Sequence, residues 1–383
     1  MTELLCPAGN LKKLYIAFAY GADCVYLSGL NFGLRAGSGN FTEHEIAKGI
    51  SYAHSLGKKV YITLNAFLWD QDFSDLKKFI EFLDRLGADG TIVSDAGTAE
   101  AVLKNSGIPV HVSTQASVTS TRHALFWKDL GAKRIVLGRE VSIADAVKIK
   151  EKTGLEVEIF IHGAMCMSFS GHCVISNFTA GRDSNRGGCI QSCRHVYEIS
   201  GDGKPVSDRS LLSSKELNGL RHLKTAMDAG IDSLKIEGRM KSPLYLATVT
   251  HVYSEAMKKI RDNADLNDLT GLESELLKIP HRGYTDGNLI NPAGPDSVYL
   301  NQDEGRNYNM AGMILDKTGP DSFFYASSNV DDVSKLEFVG FPEARPFRGT
   351  VTDSSGSITE KLRQNKLYRF TGLDIPVNTV ARI

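Results

Sequence analysis

Between residues 3 and 260 the chain alternates short apolar runs with amphipathic stretches eight times over, and nothing else in the sequence constrains its fold as strongly. The apolar runs are 3–6, 24–27, 60–64, 90–93, 110–113, 134–137, 157–161 and 233–236. Each is short and rich in Val, Ile or Leu, as a strand covered on both faces must be. Between and after them, 11–20, 43–55, 73–86, 98–104, 122–130, 143–152, 217–229 and 244–260 carry apolar residues at helical spacing. Gly21, Gly87, Gly131 and Gly230 each close a helical stretch just before a strand, where a left-handed cap is wanted. Eight such units predict an α/β fold, a (β/α)8 TIM-like barrel. A doubly wound open sheet is the alternative, weakened because no strand leads into a Gly-x-Gly-x-x-Gly turn.

The pattern breaks after strand seven. From 163 to 214 there is no helical periodicity, but there are four cysteines, several glycines and a hairpin signal at Ser200-Gly201-Asp202-Gly203. A loop of that length needs a functional reason. The layout expected is a barrel over 1–265 containing this cysteine-rich insertion, a linker over 266–304, and a small all-β, β-barrel-like domain over 305–383.

The chain has six cysteines, and Cys166, Cys173, Cys189 and Cys193 cluster within the insertion. The start, Met1-Thr2-Glu3-Leu4-Leu5-Cys6-Pro7, lacks a basic segment and a long apolar core, so it reads as no export signal and a cytoplasmic chain. No run approaches the ~18 apolar residues of a membrane span. In that setting clustered thiols point to a metal or to redox chemistry rather than to disulfides. An iron–sulfur cluster, zinc and free redox thiols all remain open; only Cys189-x3-Cys193 has zinc-like spacing. Gly163, Gly187 and Gly188 suit a backbone that wraps closely around a cluster. Cys6 and Cys24 fall on strands and read as small buried hydrophobes.

In such barrels the chemistry sits where strands end. The residues there are polar: Arg35, Asn65, Gln115, Arg139, Glu140, His162, Glu237 and Arg239. Arg35, Arg139 and Arg239, with Asn65 and Gln115, are candidate substrate contacts, because guanidinium forks match carboxylates and phosphates. Glu140, Glu237 and His162 are the candidate catalytic groups; ion pairing along the rim is the plainer reading of the charges. A net charge of −1 excludes a chain coated for nucleic acid but allows a local patch. Candidates for phosphate contact are Lys58, Lys59, Arg182, Arg186 and Arg194, with a solvated surface as the alternative. Protease signatures are poor: there is no Gly-x-Ser-x-Gly, and His44-Glu45-Ile46-Ala47-Lys48 puts lysine where zinc needs histidine.

Several segments together resemble one family. They are Glu3-Leu4-Leu5-Cys6-Pro7-Ala8-Gly9, Phe32-Gly33-Leu34-Arg35-Ala36, His162-Gly163-Ala164-Met165-Cys166, Ser170-Gly171-His172-Cys173, Gly187-Gly188-Cys189, Gln191-Ser192-Cys193-Arg194 and Lys235-Ile236-Glu237-Gly238-Arg239-Met240-Lys241. Over residues 3 to 290 the chain resembles the collagenase-like peptidases, peptidase family thirty-two of unassigned type. The resemblance implies oxygen-independent hydroxylation, above all of the tRNA wobble uridine with prephenate as co-substrate. Other branches imply hydroxylation of an rRNA cytidine or of a quinone ring, and the family's name implies a collagenase-like peptidase. It further implies a 4Fe–4S cluster on Cys166, Cys173 and Cys189, RNA as partner, and a second family subunit. One branch draws a ligand from a cysteine soon after a Ser-Lys-Asp/Glu-Leu segment. Here Ser214-Lys215-Glu216-Leu217 is followed by Asn218, leaving Cys193 as fourth ligand or an iron with an open site. A binding module with a purely structural cluster is the remaining class.

Overall fold

The computed structural model describes residues 1–34, 39–201, 204–207, 210, 212–263, 269–298 and 308–383. Eight strands run parallel: β1 (Glu3–Pro7), β2 (Cys24–Leu27), β3 (Lys59–Leu64), β4 (Gly90–Val93), β5 (Val110–Val112), β6 (Arg134–Val136), β7 (Glu156–Ala164) and β8 (Ser233–Ile236). Consecutive strands pair, and β8 pairs with both β7 and β1, so the sheet closes into the barrel read from the sequence. The strands are almost wholly buried, which is why their sequences are continuous apolar runs rather than alternating ones. Gly21, Gly87, Gly131 and Gly230 all have positive φ, between 71° and 108°, as helix-closing residues before a strand.

The barrel interior carries a layer of charge. Lys235 of β8 meets Glu158 of β7 at 2.8 Å, and Arg134 of β6 reaches Glu156 at 2.7 Å, Glu3 at 2.9 Å and Glu158 at 3.4 Å. Tyr61 and Tyr26 lie under these cations, at 5.3 Å from Arg134 and 4.4 Å from Lys235. Cys6 and Cys24 are fully buried, as expected.

Strand β7 is nine residues long, whereas β5 and β6 have three each. Its lower half completes the barrel. Its upper end, His162 to Ala164, pairs antiparallel with the short strand Glu216–Asn218, which in turn pairs with Tyr284–Thr285. This corrects the helix expected over 217–229. Leu217, Leu220 and Leu223 have helical spacing, but the tertiary pairing claims the first of them, and the helix is only Leu223–Asp228. The expected linker also holds structure: a helix at Thr270–Leu276, the strand Tyr284–Thr285 and a turn of helix at Pro295–Val298.

The chain divides into two compact units; one boundary falls at 304/305, where the sequence placed the start of the β domain, whereas none falls at 265. The first comprises Met1–Leu14, Asp23–Met240 and His281–Glu304; the second comprises Tyr15–Ala22, Lys241–Pro280 and Gly305–Ile383. The second unit holds an antiparallel sheet of six strands, β9 (Met310–Thr318), β10 (Asp321–Ala326), β11 (Glu337–Phe338), β12 (Thr350–Thr352), β13 (Leu367–Thr371) and β14 (Val380–Arg382). Its order is β11-β14-β9-β10-β13-β12, over a core that includes Ile314, Phe324, Leu336, Leu362 and Phe370. Helix Pro243–Arg261 and the end of the first helix belong here: Tyr20 donates to the Val339 carbonyl at 3.1 Å and accepts from the Val380 N–H at 2.9 Å.

Candidate active site

The segments after β3 and β5 are joined by side chains. Asn65 accepts from the Leu34 N–H at 3.2 Å and donates to Ser113 at 3.4 Å and to the Gln115 side chain at 3.2 Å. Two of the expected substrate contacts, Asn65 and Gln115, are thus brought together at the mouth of the barrel.

The cysteine insertion is tied to those same segments. His172 donates to the Gln115 carbonyl, and the Phe67 N–H donates to the Asn185 carbonyl at 2.9 Å. Arg186 donates to the Phe67 carbonyl and to Asp72 at 3.0 Å. Asn185 also donates to the Cys173 carbonyl at 3.2 Å. On the other side Arg194 spans from the end of β7 to the end of the insertion, donating to Met165 O at 2.6 Å, Ser214 O at 2.9 Å and Ser214 Oγ at 3.1 Å. The backbone turns sharply here. A Cβ on Gly188 would stand 2.6 Å from the Asp183 carbonyl, so only glycine fits beside Cys189.

Cys166, Cys173, Cys189 and Cys193 are half-buried free thiols. Burial pushes the Cys193 thiol up; the Arg194 guanidinium opposes this, and Cys166, Cys189 and Cys173 add to it as neighbours. The Ile175 N–H donates to Cys173 Sγ at 3.4 Å. Among the described residues, no three Cys, His, Asp or Glu side chains are already converged as a metal-holding group. The donor set is nonetheless chemically apt: four soft sulfurs on one loop, with a backbone N–H already turned toward one of them.

The remaining candidates are dispersed. Arg139 lies over the Phe160 ring at 4.0 Å, in a shallow solvent-open recess lined also by Ile159, Met165, Leu217 and Asn288. Glu140 is half-buried on the turn after β6, and the half-buried Glu237 donates its N–H to the His162 carbonyl at 2.8 Å. His162 is completely buried, with its ring 5.5 Å from that of Tyr284. Arg239 is 4% exposed and directed at neutral oxygens, Leu34 O at 3.1 Å and the Asn40 side chain. Arg35 lies outside the described residues.

The phosphate candidates also separate. Lys58 and Lys59 lie at the start of β3, the end away from the mouth, paired with Asp23 and Glu3. Arg186 and Arg194 act as the braces just described, and Arg182 is exposed. Sequence reasoning missed Phe67, Trp69 and Asp72. The signal for them is an aromatic pair, Phe67 and Trp69, just ahead of the acidic run Asp70-Gln71-Asp72.

Residues 9–298 match the model of peptidase family U32. The chain belongs to that family. Among its relatives, "tRNA hydroxylation protein P1" of Bacillus subtilis is 43% identical over 264 residues, covering 67% of this chain and 63% of that protein. The chain therefore matches less than two thirds of that relative's length. "tRNA hydroxylation protein P" of Helicobacter pylori is 41% identical over 303 residues, covering 75% of this chain and 71% of that protein. The "23S rRNA 5-hydroxycytidine C2501 synthase" of Escherichia coli is 36% identical over 293 residues, covering 74% of this chain and 44% of that protein. Among the described residues of this U32 protein, no helix is long and apolar enough to cross a membrane.

Proposed function

We propose that this U32 protein hydroxylates RNA, with the tRNA wobble uridine as target and prephenate as co-substrate. The observation that carries the reading is the tethering of the thiol-bearing insertion to Phe67, Asp72 and Gln115, residues that follow β3 and β5. That tether brings four thiols to the end of the barrel where this fold does its chemistry. Relatives named for tRNA hydroxylation and for rRNA hydroxycytidine synthesis support the reaction class.

In this reading Cys166, Cys173, Cys189 and Cys193 hold a 4Fe–4S cluster. When bound, such a cluster supplies one-electron chemistry at the mouth. Arg139, over the Phe160 ring, is the group best placed to grip a carboxylate of the co-substrate. Gln115, held by the buried Asn65, carries an amide that can pair with a uracil edge. Glu237 and Glu140, half-buried at the rim, are the groups available to move a proton.

Two measurements test this. Anaerobically purified protein should be brown, absorb near ~400 nm and carry about four irons per chain, and alanine at Cys166, Cys173 or Cys189 should bleach it. Mass spectrometry of nucleosides from a deletion strain should show loss of a hydroxylated uridine from tRNA. Colourless protein with stoichiometric zinc would sink the cluster, and unchanged tRNA would sink the substrate.

A further inference from the structure

The chain has two tryptophans. Trp127 is in the core at 4% exposure, whereas Trp69, in the turn after β3, is 62% exposed. A single exposed apolar side chain is ordinary. Here the turn that carries the side chain is held in place. The Trp69 backbone N–H donates to the Asp72 carboxylate at 2.8 Å, and the Asp72 N–H donates back to the Trp69 carbonyl at 2.8 Å. The same carboxylate accepts from Arg186, whose guanidinium lies over the indole at 5.7 Å from its centre. Phe67, two residues earlier and also exposed, packs edge-on against His172 at 5.8 Å. Asn185 links the two sides: its carbonyl takes the Phe67 N–H, and its amide holds the Cys173 carbonyl. The aromatic turn and the thiol loop are therefore one hydrogen-bonded assembly.

We propose that Trp69, with Phe67 beside it, is the platform on which an unstacked nucleobase of single-stranded RNA lies against the thiol-bearing loop. The inference rests on the reading of this U32 protein as an RNA hydroxylation protein and adds the residue that positions the base. The occupant follows from the chemistry. An exposed indole on a hydrogen-bonded turn, flanked by a guanidinium, is an arrangement on which unpaired bases stack, whatever their sequence, because every base has a π-face. The fixed turn means that little ordering is lost on binding. Duplex RNA buries its base faces within its own stack and offers nothing to such a platform. Trp69 is here a positioning residue; the candidate proton carriers are elsewhere.

The test uses full-length protein, a short RNA hairpin with an unpaired uridine in its loop, and a loop-free RNA duplex. Titration with the hairpin should quench tryptophan emission in the parent protein, and the duplex should not. The quench should vanish in Trp69→Phe, since Trp127 is buried away from solvent. Trp69→Ala should weaken hairpin binding about fivefold or more, while Trp69→Phe should stay within about twofold, because a phenyl ring still stacks. Phe126→Ala, at another exposed aromatic, should change nothing. Hairpin binding with no change in emission and no loss in Trp69→Ala would overturn the platform and leave the RNA reading standing. Equal responses to hairpin and duplex would overturn it too. Loss of hydroxylation in cells with hairpin affinity and emission unaltered would assign Trp69 to a protein partner instead. Failure of the parent protein to bind any hairpin would bring down both readings together.

Discussion

Glu158 is fully buried inside the barrel and touches Lys235 and Arg134 at once. Burial alone would raise its carboxyl pKa, but those two cations outweigh it and hold the group below the usual carboxylate range. Glu3 is held low by Arg134 and Lys59 against the same burial penalty. His111, edge-on to Tyr61 at 4.7 Å, is pushed the way an imidazole goes: burial, then Arg134, lowers its pKa well below 6.5, with Glu3 opposing. Both kinds of group then give one direction. Below pH 6.5 the unfolded chain protonates His111 while the folded chain does not, so stability falls. Below about 4.5 the unfolded chain also protonates Glu158 and Glu3 before the folded one does, and the fall steepens. Denaturant melts at pH 7 and pH 5 should therefore show lower stability at pH 5, by about 1–2 kcal/mol if His111 alone titrates over that span. His111→Phe, which keeps the ring packing, should flatten the difference. Equal stability at the two pH values in the parent would mean that His111 is charged within the barrel. None of this was legible in the sequence. Charged residues inside strand patterns, such as Lys235 in Ser233–Ile236, look like defects until the barrel closes around them.

At the scale of elements, the barrel was legible because each strand is buried on both faces, which makes its composition local evidence. The insertion was legible through its cysteines, which lie close in sequence. What holds it was not, because Arg194–Met165 and Arg186–Asp72 join residues 29 and 114 positions apart, and neither leaves a local trace. For the same reason the sequence, which offered Arg239 as a substrate contact or a partner in rim ion pairing, carried no sign that it donates to the Leu34 carbonyl and the Asn40 side chain. The helix expected over 217–229 was misread because apolar spacing cannot register that β7 overshoots the barrel and recruits Glu216–Asn218. The braces can be tested separately from the barrel. Arg194→Ala leaves the carbonyls of Met165 and Ser214 without their common donor, so the insertion should loosen at its root. Limited proteolysis should then cut between 166 and 214 several times faster than in the parent. The melting temperature of the barrel should move by only a few degrees, since ~1–3 kcal/mol of local hydrogen bonding is lost in a large domain. Arg194→Lys should not restore protection, because one ammonium cannot reproduce the spread of a guanidinium. Uniform acceleration of cleavage across the chain would show that Arg194 supports the barrel itself.

At the scale of the molecule, the question is whether the thiol loop is part of what folds or is carried by it. Small metal-dependent domains collapse without their metal because they have too little core to stand alone. Here the buried set is large and lies elsewhere: Leu5, Val25, Ile62, Val93, Val112, Ile135, Val157 and Leu234 on the barrel strands, and Phe324 and Phe370 in the β-sheet unit. The four cysteines are only half-buried, and the insertion contributes few residues to those cores. Its anchors include hydrogen bonds to the loops after β3 and β5 and to the end of β7. Protein stripped of iron by a chelator, or carrying alanine at all four cysteines, should therefore keep its far-UV helix signal. It should also still melt cooperatively, with loss of protection confined to residues 166–214. The β-sheet unit, with its own core, should keep its hydrogen-exchange protection unchanged in the same samples. Loss of helicity on stripping would show that the loop nucleates or completes the barrel, and the long strand β7 would then be the element through which it does so.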